Sequence, residues 1–170
     1  MYRYRLTAAI ALSLAVGYVA LGAGQELAWP LVFFEPLVGT EWVGRFASLP
    51  APPFEHCVEW TAALDGQAVR WRKRVDQLDF TMETLFYWNR ELEKVRFIQL
   101  ASNGIHSKGA AAAEEGLVVL VGVAMHPSGI AEFKQTFEIT PGGVLEDRYY
   151  SRAGEGWSAE HVIVYERIEW

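Results

Sequence analysis

Cys57 is the only cysteine among 170 residues, so neither an intrachain disulfide nor a cysteine-rich metal site can form. Stability must come from apolar burial. Basic residues are also scarce: 15 Lys and Arg stand against 21 Asp and Glu, a formal charge of −6. An acidic surface repels phosphate backbones, and the short run Arg70, Arg72, Lys73, Arg74 does not reverse that, so nucleic acid is not an expected partner. No G-x-S-x-G elbow, P-loop or dinucleotide fingerprint occurs. His106 and His126 fall in or beside turns with no metal-ligand spacing, so no metal site is expected. Beyond residue 40 there are no long helical segments of the kind that parallel crossovers require.

What is present is apolar and aromatic. Hydrophobic residues make up 51% of the chain and aromatic residues 14%, enough for one well-buried core and too short a chain for two ordinary domains. Residues 1–24 place Arg3 and Arg5 before an uncharged stretch reaching Gly24, the layout of a secretory signal with small residues Ala20, Gly22 and Gly24 near a cleavage point. The alternative is an uncleaved anchor, since Leu6 to Gly24 is nearly long enough to span a bilayer. Either way the folded part is expected outside the cytoplasm, secreted or periplasmic, with membrane contact only through this segment. Residues 25–40 carry Pro30 and Pro36 around L-V-F-F-E, which reads as one or two helical turns closing one end of the domain. Residues 41–170 form the domain itself.

Its organising stretch is Phe54 to Asp76. Asp65-Gly66 between two alternating runs is a strong hairpin signal, because a two-residue type I′ turn needs positive φ at both positions. A tight turn there sets Trp60 against Trp71, Val58 against Lys73 and Ala62 against Val69. On the other face it sets Glu59 against Arg72 and Cys57 against Arg74, where opposite charges attract across the strands. A one-residue slip would bury three arginines, so the register is well specified.

Strand-like runs follow at about 41–47, 54–64, 67–75, 80–88, 94–101, 104–112, 117–125, 130–139, 144–152 and 157–168, separated by turn chemistry such as Pro141-Gly142-Gly143. The stretch Gly109 to Glu115, rich in alanine, is equally compatible with a helical turn. Strands of this length with short connections pair sequentially. The fold class is all-β, an antiparallel meander of about ten strands closed into a barrel, since closure removes both edges and covers the tryptophan face.

An internal pocket would have Trp60, Trp71, Met82, Phe86 and Trp88 as walls, with Ala62, Gly109, Ala111 and Gly122 leaving space. The alternative is a filled core in which large and small residues interdigitate. Inward polar residues are costly unless paired, so they are the site candidates. His56 and Lys73 lie on the apolar face of the hairpin and are expected at the barrel rim, with Lys73 snorkelling toward water. Thr84 lies inward between Met82 and Phe86, and Gln135 inward between Phe133 and Phe137. A three-residue loop at Pro141-Gly142-Gly143 sets Gln135 against Tyr149 and Phe137 against Asp147. Asp147 would then lie among aromatics with a raised pKa unless Lys73 or an arginine pairs with it. His161 is expected on the same side of the last strand as Trp157, Ile163 and Tyr165, hydrogen-bonded at the rim. If Lys73, Asp147, His56 and Tyr149 meet, they form an acid/base set suited to isomerisation or decarboxylation.

Val38 to Phe46, V-G-T-E-W-V-G-R-F, resembles the opening of lipocalin-like (calycin) barrels, where a glycine precedes a tryptophan entering the first strand. Here the glycine-to-tryptophan spacing is one residue longer than usual. The W-x-G-x-aromatic part is similar to nitrobindin-like haem barrels and to an uncharacterised bacterial family of lipocalin-like domains. That family also resembles the chain at A-L-D-G-Q-A-V-R-W (63–71), at E-T-L-F-Y-W (83–88) and at G-W-S-A-E-H-V-I-V-Y-E-R (156–167). The resemblance implies a barrel with an internal pocket for a small hydrophobic or amphipathic molecule, and no known reaction. Its nitrobindin branch implies haem held by a histidine of the last strand, although counting back from Tyr165 puts that ligand position at Val162, one residue from His161.

Overall fold

Asp65 and Gly66 do turn the chain as a type I′ hairpin. In the computed structural model, which describes residues 26–48 and 54–169, their φ angles are 54° and 80°, and the Gln67 N–H donates to the Leu64 carbonyl at 3.1 Å. The two strands they join, β2 (His56–Ala63) and β3 (Ala68–Val75), pair with Trp60 opposite Trp71, Val58 opposite Lys73 and Cys57 opposite Arg74. Glu59 stands opposite Arg72 as expected, but the ion pair Arg72 closes is with Glu83 on the next strand, at 3.7 Å.

The remaining strands are β1 (Thr40–Phe46), β4 (Phe80–Asn89), β5 (Lys94–Ala101), β6 (His106–Glu114), β7 (Leu117–His126), β8 (Gly129–Ile139), β9 (Leu145–Ala153) and β10 (Gly156–Arg167). All ten pair antiparallel with their sequence neighbours, and β1 pairs with β10 to close the barrel. The alanine-rich stretch is strand: β6 hydrogen-bonds to β5 and β7 on both sides, and two ladders outweigh the helix propensity of its alanines. The leader at residues 1–24 lies outside the described residues.

One end of the barrel is closed by the chain before β1. A 3-10 turn, Leu31–Phe34, buries Leu31 and Phe34, and the Ala28 N–H donates to the Gly66 carbonyl at 3.0 Å while that of Gly39 donates to Trp60 at 2.8 Å. Gly66 therefore serves twice. Its positive φ makes the hairpin, and a Cβ there would lie 2.1 Å from the Glu26 carbonyl oxygen, so only glycine lets the closing segment dock.

Behind this lid the lumen is packed with rings. Phe34 meets Phe86 at 4.6 Å between centroids, Trp60 stacks on Trp71 at 5.5 Å, and Phe137 stands edge-on to both tryptophans at 5.2 and 4.9 Å. Each such pair adds about 0.5–1.5 kcal/mol beyond the area it buries. The glycines expected to leave space are where rings sit closest to backbone. A Cβ on Gly109 would meet Phe97 at 2.6 Å and the Val121 carbonyl oxygen at 2.2 Å, and one on Gly122 would meet Phe97 at 2.8 Å. Phe97 has taken the volume that a cavity would have used. Gly109→Ala is therefore expected to destabilise the barrel by about 1–3 kcal/mol, read as a lower urea midpoint with unchanged slope.

Candidate functional site

The other half of the lumen is polar. Period-two alternation turns Lys73, Gln135, Asp147 and Tyr165 inward on β3, β8, β9 and β10, and closure brings them together. β3 and β9 are not neighbours in the wall, so the Lys73 ammonium crosses the lumen to reach Asp147, Nζ to Oδ2 3.8 Å. Asp147 is 0% exposed and Lys73 8%. Lys73 therefore does not snorkel to the rim, because an anion inside the barrel gives its ammonium a better partner than the apolar wall does. The Gln135 Nε2 donates to Asp147 Oδ1 at 2.7 Å.

Burial raises the Asp147 pKa against the opposing pull of Lys73 and Gln135, and burial lowers that of Lys73 against the pull of Asp147. The Tyr165 hydroxyl is pushed well above the ordinary tyrosine range by burial and then by Asp147. The Tyr165 hydroxyl and the Asp147 carboxylate act on each other as hydrogen-bonding partners, and Asp147 Oδ2 also faces the Lys73 ammonium. Tyr165 owes its place to Gly44, its cross-strand partner, where a Cβ would lie 2.4 Å from the tyrosine ring.

Around this pair lies an aromatic rim. His56 is buried, with both ring nitrogens unpartnered, and its pKa falls to about 4 through burial, then Lys73, then His161. Phe46 stands edge-on between His56 and His161, at 4.8 and 5.3 Å. His161 stacks flat on Tyr149 at 5.3 Å, and Tyr149 in turn on Phe133 at 5.4 Å. Burial lowers the His161 pKa as well, so both imidazoles are neutral near pH 7.

The expectation that Trp157 shares the inward side with His161 is overturned. A bulge between Ala159 and His161 shifts the alternation by one residue, pairing His161 with inward Tyr149 and Trp157 with Arg152. The Arg152 guanidinium lies 5.2 Å from the Trp157 ring centroid on the outer face.

The sequence candidates thus divide. His56, Lys73, Gln135, Asp147, Tyr149 and His161 gather in the polar half. Trp60, Trp71 and Phe86 lie in the ring stack, and Trp88 packs half-buried against the same core. Thr84 is fully buried and accepts from Gln99 Nε2 at 3.0 Å. Gln99, Phe46 and Tyr165 join the site only through the fold. Gln99 had the same signature as Gln135, a lone amide at an inward position, here between Phe97 and Ala101. Among the described residues no cluster of three His, Cys, Asp or Glu side chains could hold a metal ion. An apolar recess of about 560 Å³ lies beside the lid, lined by residues including Trp29, Phe33, Trp88 and Ala111.

The class defined by this architecture is a closed ten-stranded antiparallel barrel, consistent with a lipocalin-like barrel. No protein-family model matches the sequence, and neither does any curated protein.

Two outcomes follow from the buried charges. His56 protonates near pH 4 when folded and near 6.5 when unfolded, so between those values the unfolded chain binds the extra proton and stability falls as pH falls. His56 should contribute a loss of about 1 kcal/mol between pH 6 and pH 5, seen as a difference between wild-type and His56→Leu denaturation curves. Lys73→Met leaves Asp147 buried without its counter-ion and should cost about 3–5 kcal/mol, while Lys73→Met with Asp147→Leu should recover most of that. Thermal and urea unfolding of the three proteins would read both effects.

Proposed function

We propose that this is an exported lipocalin-like barrel that binds a small amphipathic molecule in the polar half of its lumen. The observation that carries the reading is a buried polar cluster, His56, Lys73, Gln135, Asp147 and Tyr165, in which both His56 ring nitrogens lack a hydrogen-bond partner. Such groups are costly inside a protein unless something completes them. A ligand would set its polar group among them and its apolar body against Phe46, Met82 and Tyr149. Because rings fill the lid half, the ligand is short. Kinship with the bacterial lipocalin-like family is part of this proposal, supported by the motifs at 38–46 and 156–167. So is export, supported by Arg3 and Arg5 before the uncharged run to Gly24.

Two alternatives rest on the same residues. Haem binding would use His161, whose half-buried, neutral imidazole could hold the iron. An isomerase or decarboxylase would use the Lys73–Asp147 pair as acid and base. Ligand binding is favoured because neutral His56 offers an unpartnered donor and an unpartnered acceptor on one ring, which a hydrogen-bonding head group satisfies at once.

The test is titration of folded residues 25–170 with fatty acids, alcohols, amides and retinoids, reading tryptophan fluorescence. Trp71 lies two residues from Lys73 on the same face, so a bound ligand should quench or shift its emission. Silence across the panel, in a protein shown to be folded, would overturn the reading. A Soret band on haem addition that is lost in His161→Ala would favour the haem alternative instead.

A further inference from the structure

The net charge of the site limits which head group it can accept. Lys73 and Asp147 are the charged side chains buried together in the polar half, and they face each other at 3.8 Å. Whether the pair exists as ammonium and carboxylate or as amine and carboxylic acid, its charge sums to zero. The imidazoles beside it, His56 and His161, carry no charge near pH 7, and neither do the hydroxyls of Tyr149 and Tyr165 or the amide of Gln135. From the outer wall Glu160 acts on His161 and Tyr149, while Lys73 acts on both His56 and His161.

A carboxylate or ammonium entering this half would be a third charge in a site that already balances. Its desolvation would go uncompensated, because its attraction to one member of the pair is offset by repulsion from the other. An uncharged oxygen group meets no such cost and finds a donor and an acceptor in the two unpartnered ring nitrogens of neutral His56, beside the balanced Lys73–Asp147 pair. We infer that the barrel selects a neutral head group, an alcohol, ketone, aldehyde or primary amide on an apolar body, and rejects the carboxylate or amine of the same chain. The inference rests on the ligand-binding reading above and narrows it to a chemical class.

A matched series tests it: decanol, decanamide, decanoic acid and decylamine, titrated at pH 7 against the folded protein by tryptophan fluorescence and checked by calorimetry. The alcohol and amide should bind at least about tenfold more tightly than the acid or the amine. Asp147→Asn leaves Lys73 as an unbalanced cation and should move the preference to decanoic acid. Lys73→Met leaves Asp147 and should move it to decylamine. The doubly substituted Lys73→Met, Asp147→Leu protein keeps the fold if either single variant loses it, and should discriminate against both charged heads while losing affinity for the neutral ones. An acid or amine that binds wild type as tightly as the alcohol overturns the inference and leaves the binding reading standing. Binding by no member of the series, nor by the wider panel, removes both.

Discussion

Closure of the sheet is the constraint on which the rest depends. Once β1 pairs with β10, no strand edge is left for solvent or another chain, and every inward side chain must share one narrow lumen. A ten-strand wall leaves few ways to fill that space. The protein fills one half with Trp60, Trp71, Phe86, Phe97 and Phe137 and caps it with Leu31 and Phe34. The glycines of β6 and β7 are part of the same solution, since Phe97 lies against backbone that any side chain would push away.

The second half is organised by a charge pair that is an unlikely source of net stability. Moving Lys73 and Asp147 out of water costs several kcal/mol each, and their attraction at 3.8 Å together with the Gln135 hydrogen bond offsets that only in part. A well-packed apolar pair would hold the barrel at least as well. An ion pair, two neutral histidines and a buried tyrosine hydroxyl in such a place are the kind of grouping found at functional sites, and they carry the ligand-binding proposal. The aromatic rim of Phe46, Tyr149 and His161 keeps water away from these groups, and the lower local dielectric strengthens the polar contacts among them.

Much of this was legible along the chain because it is local. The Asp65-Gly66 turn sets the β2–β3 register, and the Pro141-Gly142-Gly143 loop sets Phe137 against Asp147 and Gln135 against Tyr149. The inward positions of Thr84, Lys73 and Asp147 follow from counting by two within such hairpins. Where a local irregularity left no mark in composition, counting failed. The bulge beside Glu160 reversed the side of Trp157, and nothing in G-W-S-A-E-H distinguishes a bulged strand from a regular one.

The amino-acid order determined by itself most of the strands, their turns and the face of side chains within regular hairpins, because period-two alternation and turn backbone angles act over a few residues. Only the tertiary structure decided that Lys73 spans the lumen to Asp147, that Phe97 occupies the hollow above Gly109 and Gly122, and that Tyr165 lies over Gly44. These contacts join strands far apart in the chain, and their distances are set by the curvature and stagger of the closed wall, which no single hairpin contains.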